Sequence, residues 1–175
     1  MIMADMLVRL YSLPPMGSLQ EELYAKGIIL RRALPVEVDA ISSWVHQHFQ
    51  EKWADGCRVA LGHRPPTCFI ATELQPVPEP DEDPYNLPPE KLVGFACYDI
   101  DAKGMFGPEG VHPDYRGQQI GKGLLLACMH AMANEGYAYA VIGWAGPIEF
   151  YKCTVGATLI EGSEPGVFRG PLVLD

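Results

Sequence analysis

The sequence predicts a single α/β domain, and three observations support that fold class. The chain has 175 residues and a mass of 19.3 kDa, which is enough for one compact core and too little for two ordinary domains. Hydrophobic residues make up 48% and charged residues 20%, the balance of a folded globular protein rather than of a disordered or fibrous chain. Strand-like apolar runs alternate with segments of helical periodicity, so strands and helices belong to one unit.

The N-terminal part of the chain predicts a helix, a strand and a second helix. Ser18 lies three residues before Glu21, which is the spacing of a helix capping box, so a short helix is expected over about 19–26. Residues 27–33 form an apolar run typical of a strand. Pro35 stands at a first-turn position and opens a longer helix. The apolar positions of that helix recur at near-helical spacing and are Val38, Ile41, Val45 and Phe49.

The middle of the chain predicts a third helix over about 53–61 and two strands, 67–72 and 91–98, that form a hairpin. The loop between the strands, 75–90, holds six prolines and the acidic run 81–83, so it can neither pair as a strand nor continue as a helix. We interpret this loop as an exposed, stiffened excursion without chemistry; a partner-binding lid is the alternative.

The C-terminal part of the chain predicts further strands alternating with two helices. The segment 105–111 reads as a strand, but it contains Gly107, Pro108 and Gly110. These poor strand formers indicate a bulge, or a group that approaches the backbone closely. The remaining elements are expected as a helix over about 119–135, a strand over 137–144, a short helix over 149–154 and final strands over 157–160 and 167–173.

Charge and cysteine content exclude several classes of protein. Lys and Arg number 13 against 22 Asp and Glu, and the net charge of −9 argues against a nucleic-acid partner. The same acidity slightly favours a cationic ligand. The five cysteines are odd in number and form no CxxC pair, so a reducing, cytoplasmic location is expected. No stretch reaches the roughly 18 apolar residues of a membrane span, and neither a membrane span nor export is expected. His46 and His48 point apart on their helix, so no metal site is expected.

The segment most informative about function is 111–125, in which a strand end, a glycine-rich turn and a helix start follow one another. Backbone N–H groups at a helix N-terminus lack intrahelical partners, and the helix dipole favours an anion there. Glycines let a phosphate come close, while Arg116 and Lys122 supply charge. The order of these residues fits neither a Walker A loop nor the dinucleotide fingerprint.

Residues 111–123 read V-x-P-x-x-R-G-Q-x-x-G-x-G, which resembles the acyl-CoA-binding motif of the GNAT N-acetyltransferase superfamily. The resemblance covers most of the chain and implies a GNAT domain over 27–175, preceded by an N-terminal extension, 1–26, with its short helix. It implies the fold of that family: a central, mixed and mostly antiparallel sheet with helices on both faces. The sheet of the family is splayed between its fourth and fifth strands, which correspond here to 105–111 and 137–144.

The resemblance implies acetyl-CoA as the cofactor. In the family, the pantetheine arm pairs with the exposed edge of the fourth strand, and the pyrophosphate lies on the glycine-rich loop. The residues expected to bind the cofactor here are Gly110, Val111, Arg116, Gly117, Gln118, Gln119, Gly121, Lys122, Gly123 and Phe150.

The resemblance also implies roles in the reaction. Tyr151 matches the tyrosine that acts as general acid near the CoA sulfur, and a phenol with an ordinary pKa of about 10 is protonated at neutral pH. Glu109 is the expected general base, with Glu149 and His112 as alternatives. The backbone N–H of Val111 is expected to polarise the thioester carbonyl. Substitutes for the acid are Tyr98, Tyr115 and Tyr139.

The expected activity is acetyl transfer to a primary amine, on a small molecule or a peptide, by direct attack in a ternary complex. A non-catalytic acyl-CoA-binding or regulatory module of the same fold is the alternative. Homodimers are common in the family, so a homodimer is one expectation for the oligomeric state.

Overall fold

The computed structural model describes residues 4–76 and 87–167 of the chain. Within these residues, seven strands form one sheet and five α-helices pack against it. In chain order the elements are β1 (Met6–Arg9), α1 (Leu19–Tyr24), β2 (Ile28–Arg32), α2 (Val38–His48), α3 (Glu51–Gly62), β3 (Cys68–Leu74), β4 (Glu90–Tyr98), β5 (Met105–Val111), α4 (Ile120–Asn134), β6 (Tyr139–Ile142), α5 (Ile148–Val155) and β7 (Thr158–Leu159).

The strands lie in the order β2-β3-β4-β5-β6-β1-β7. Every neighbouring pair runs antiparallel except β5 and β6, which are parallel. This arrangement confirms the predicted fold class, a mixed and mostly antiparallel sheet.

The sheet is splayed between β5 and β6. Their pairing covers only Met105 with Val141 and Phe106 with Ile142. Gly107 follows with a φ of +123°, which glycine adopts easily, and Pro108 has no N–H to donate. The rest of β5 pairs with β4 alone among the described strands. The poor strand formers in β5 therefore mark the point of separation, as the sequence predicted.

Helices cover both faces of the sheet and bury two hydrophobic clusters. On one face, α1, α4 and α5 pack against the sheet, and nine residues of the apolar helix α4 are buried. On the other face, α2 and α3 enclose a second cluster around Phe95 and Ile70. Because strand residues alternate between faces, each residue of β5 is assigned to one helix layer or the other.

The N-terminal segment supplies a strand as well as the predicted helix. β1 pairs with β6 on one side and with β7 on the other, and Met6 and Val8 are fully buried. The sequence did not predict this strand, because four residues without polar alternation carry little periodicity.

The other helices and strands predicted within the described residues are present, with bounds that agree within a few residues. Most of the Pro-rich loop, residues 77–86, and all but the first residue of the last expected strand, 168–173, lie outside the described residues. No helix within 4–76 or 87–167 is long and apolar enough to cross a membrane.

Candidate functional site

The connection from β5 to α4 has a conformation that exposes backbone N–H groups. Gly117 and Gln119 both adopt the left-handed region, with φ of +77° and +67°. The first bond of the α4 ladder runs from the Gly123 N–H to the Gln119 oxygen at 3.0 Å. The six consecutive N–H groups of 117–122 donate no hydrogen bond within the described chain. Such a run of amides at a helix N-terminus forms an anion-binding concavity.

Two basic side chains add charge to this loop. Arg116 is exposed and its Nε donates to the Val111 oxygen at 3.2 Å, which ties the loop to the end of β5. Lys122 is half-buried in the first turn of α4. Together with the helix dipole, they make this loop a positive spot on an acidic protein.

The splayed edge of β5 lies next to the loop. His112 donates its N–H to the Val93 oxygen of β4 at 2.9 Å. Because successive backbone groups of a strand point to opposite edges, the N–H of Val111 points to the splayed edge. The site thus combines an anion-binding loop with an edge that can pair with the amides of an extended ligand.

Glu109 points from β5 toward the first turn of α4. Its Oε1 lies 3.4 Å from the position that a Cβ on Gly121 would occupy. This oxygen is buried and has no hydrogen-bond partner among the described residues. Burial raises the pKa of Glu109 to about 8, so the carboxyl group is mostly protonated at neutral pH.

Tyr151 lies in α5, next to Phe150, whose ring approaches Gly121. It is buried, and its ring packs edge-on against Phe106 and Phe150, with centroids 6.5 and 5.2 Å apart. Its hydroxyl makes no hydrogen bond in the described part of the chain. Burial, and then the charge of Glu109, raises the pKa of Tyr151 above its ordinary value, so the phenol keeps its proton.

The expected site residues do not all converge. Around Gly121 the structure brings together Glu109, Val111 and Phe150, the last two within 3.9 Å of a Cβ placed there. Gly123 faces the core instead, since a Cβ there would lie 2.5 Å from Cδ1 of Leu30. Of the remaining loop residues, Gln118 is half-buried and Gln119 is exposed.

Gly110 faces the α2 and α3 layer. A Cβ at this position would lie 2.7 Å from Cζ of Phe49 and 2.9 Å from Cε1 of Phe95. The absence of a side chain at Gly110 therefore leaves room for these two aromatic rings to pack against β5.

The substitutes for the acid lie elsewhere. The Tyr98 hydroxyl donates to Oε1 of Glu135 at 2.6 Å, at the far end of α4. The Tyr115 hydroxyl donates to Oε2 of Glu73 at 2.6 Å, and Tyr139 is exposed with its hydroxyl 3.3 Å from that of Tyr11.

The alternatives for the base also differ in position from Glu109. Glu149 is exposed and paired with Lys152 at 2.9 Å. His112 lies on the α2 face of β5, where its ring centroid is 4.8 Å from that of His48 and 6.4 Å from that of Trp44. The sequence did not predict this cluster of rings, which consists of Trp44, His48 and His112. The spacing of Trp44 and His48, four residues apart on one helix, was the signal that they share a face.

No group of three or more His, Cys, Asp or Glu side chains that could hold a metal ion occurs in the residues described.

A loop of unpaired amides at a helix N-terminus, beside a splayed strand, is an arrangement suited to a phosphorylated ligand with an extended arm. The model of the Acetyltransferase (GNAT) family matches residues 38–153, more than half of the chain, including β5, the loop, α4 and most of α5. The chain belongs to the GNAT acetyltransferase family.

Solved structures show the same fold. A GCN5-related N-acetyltransferase from Sphaerobacter thermophilus superposes with a TM-score of 0.63 at 19% identity, over 90% of this chain and 48% of that one. A GCN5-related glucosamine N-acetyltransferase region of a fungal multi-domain GH3 beta-N-acetylglucosaminidase gives 0.67 at 14% identity, over 90% of this chain and 19% of that one. The chain thus spans less than half the length of either protein. No curated protein matches the chain.

Proposed function

We propose that this protein is an acetyl-CoA-dependent N-acetyltransferase that moves an acetyl group to a primary amine by direct attack in a ternary complex. The observation that carries the proposal is the run of six N–H groups over 117–122 beside the splayed edge of β5. The four buried cysteines and one exposed cysteine are all free, which supports a reducing, cytoplasmic setting.

The residues present fit acetyl-CoA. The amides of 117–122 would hold the pyrophosphate, with Arg116 and Lys122 supplying charge. The edge of β5 at Val111 would pair with the amide-bearing arm. Gly121 leaves room between Phe150 and β5, where a larger residue would fill the space.

When bound, acetyl-CoA supplies a thioester whose acetyl group is transferred as the carbon–nitrogen bond forms and the carbon–sulfur bond breaks. The N–H of Val111 polarises the carbonyl. Glu109, with its pKa near 8, accepts a proton from the attacking amine in the minor fraction of molecules in which its carboxyl group is ionised at neutral pH. Tyr151, which keeps its proton at neutral pH, protonates the departing sulfur.

A non-catalytic acyl-CoA-binding module is the second candidate, and one observation favours it. Glu109 is mostly protonated at neutral pH, and a protonated carboxyl group cannot accept a proton. Under this reading the site would bind acetyl-CoA without turnover on any amine.

Calorimetric titration with acetyl-CoA and CoA tests the binding site, with two variants of one residue as a matched pair. Gly121→Ala adds only a Cβ that finds ordinary contacts and should bind as the wild type does. Gly121→Glu adds bulk and negative charge at the loop and should lower affinity by at least about tenfold. Equal binding by both variants, or no binding by the wild type, would overturn the proposal. Release of CoA over a panel of amines then separates the enzyme from the module.

A further inference from the structure

A groove of about 300 Å³ lies between α2 and the sheet, on the face opposite α4. Most of its wall is apolar, and its volume suits a small organic ligand. The apolar lining consists of Ala40, Ile41 and Trp44 from α2, Ile70 from β3 and Leu92 from β4.

Three charged side chains line the groove and leave it with one net negative charge. Arg31 pairs with Glu37 at 2.6 Å and with Glu90 at 2.8 Å. Both oxygens of Glu37 are occupied, since Oε2 also accepts the Leu34 N–H at 2.7 Å. Glu90 receives its two hydrogen bonds from Arg31 on Oε2, and its Oε1 accepts none within the described residues. Arg31 therefore balances only one of the two carboxylates, and Oε1 of Glu90 has no hydrogen-bond donor among the described residues.

A second, independent feature of the groove is the hydroxyl of Thr72. This residue lines the groove and is only 2% exposed, and its Oγ1 has no hydrogen-bond partner in the described chain. A buried hydroxyl without a partner is costly. An N–H donor in the groove would satisfy it.

The groove leads toward the splayed strand. The ring of Trp44, in its wall, lies 6.4 Å from that of His112, which directly follows Val111. Gly94 pairs with Val111, and Glu90 precedes Gly94 by four residues on β4. At roughly 3.4 Å per residue, the backbone of Glu90 is about 14 Å from that of Gly94, which pairs with the end of β5.

We propose that this groove binds the acceptor, and that the acceptor is a long aliphatic amine with a second positive charge, the class of the α,ω-diamines and polyamines. The proposal rests on the proposed function and adds the class of acceptor. The apolar wall holds the methylene chain, while Oε1 of Glu90 and the Thr72 hydroxyl accept hydrogen bonds from the distal ammonium group. The other nitrogen then reaches the end of β5.

Graded acceptors test this assignment. Diaminobutane, diaminohexane and diaminooctane are compared with the monoamines of the same length, by kcat/KM for CoA release. We expect diaminooctane to exceed octylamine by at least about tenfold, because a hydrogen bond to a charged group is worth that much in affinity. The difference should shrink as the diamine becomes shorter, since a short chain cannot span the groove.

Glu90→Gln removes the surplus negative charge. It should bring the ratio of kcat/KM for diaminooctane to kcat/KM for octylamine close to one, mainly by raising the KM for diaminooctane. Thr72→Val keeps the shape of the side chain and should lower the ratio in the same direction. Asp39→Asn is the matched control, since Asp39 lies on α2 outside the groove and is 87% exposed beside Arg58. A ratio that Glu90→Gln leaves unchanged, or that Asp39→Asn lowers equally, contradicts the assignment.

Binding of diaminooctane to the CoA-saturated protein, followed by calorimetry, separates this proposal from the proposed function. Binding that Glu90→Gln weakens at least about tenfold supports the groove even if no amine is acetylated. If octylamine and diaminooctane are turned over with equal kcat/KM, the proposal that the groove binds the acceptor is wrong, whereas the proposed acetyltransferase activity is supported.

Discussion

Two side chains at the candidate site, Glu109 and Tyr151, influence one another's protonation. Glu109 is buried without a partner, which raises its pKa to about 8. Its charge in turn raises the pKa of the Tyr151 phenol beyond what burial alone would do. At neutral pH the pair therefore holds both of its protons, and the carboxyl group is the first to lose its own.

Removal of one hydroxyl tests the role of Tyr151. We expect Tyr151→Phe to lower kcat at least about a hundredfold, the usual effect of losing a general acid, while the Kd for acetyl-CoA changes less than about twofold. Tyr139→Phe is the control, because Tyr139 is exposed and remote from the loop. Equal loss of turnover and affinity, or full turnover, would remove Tyr151 from the acid role.

The glycines of β5, of the loop that follows it and of α4 show why the role of a glycine is ambiguous in a sequence. The spacing of glycines predicted a ligand-binding loop. Gly117 is open, since nothing lies within 4 Å of a Cβ there, whereas a Cβ on Gly121 would make ordinary contacts with Glu109, Val111 and Phe150. Gly110 and Gly123 are packed against Phe49 and Leu30 instead. A sequence shows that a Cβ is missing but not whether a ligand or another side chain uses the space.

The packing role of Gly110 predicts a loss of stability on substitution. Gly110→Ala would place a Cβ within 2.9 Å of two rigid aromatic rings, so we expect a loss of about 2 kcal/mol in the free energy of unfolding. Gly62→Ala is the control, because nothing lies within 4 Å of a Cβ there. Urea unfolding measures both variants, and a second change, Phe49→Leu, should restore part of the loss. A neutral Gly110→Ala would contradict this packing.

The helices and most strands were predictable because each carries its own periodicity. β1 was not, since its place between β6 and β7 is fixed by pairing with residues at least 130 positions away. The groove between α2 and the sheet could not be predicted from the sequence either. Arg31 and Glu90 lie 59 residues apart, and only the fold of β2, β3 and β4 brings them together.

At the scale of the whole molecule, the end of β5 is where the two helix layers meet the splay of the sheet. Glu109 and Val111 face α4, while Gly110 and His112 face the α2 and α3 layer. The anion-binding loop therefore lies against one layer and the groove against the other. A donor and an acceptor can reach the same strand from opposite sides, and a proton that Glu109 accepts from the amine has to cross the end of β5.

The burial of Glu109 also makes the stability of the whole fold depend on pH. Its pKa is raised from 4.5 to about 8 in the folded protein, so the unfolded chain loses this proton first as the pH rises. Stability is therefore full below pH 4.5 and declines as the pH rises toward 8. Glu109→Gln removes this titration. We expect the variant to match the wild type near pH 5 and to exceed it by about 4 kcal/mol near pH 9.

Thermal and urea unfolding of the two proteins from pH 5 to pH 9 measure this difference. Glu149→Gln is the control, because Glu149 is exposed on α5 and its one ion pair within the described residues is with Lys152. A gap between Glu109→Gln and wild type that stays constant with pH would mean that Glu109 is charged throughout. The activity of Glu109→Gln completes the test. If Glu109 is a base that is retained at a cost in stability, its loss should lower the rate of turnover.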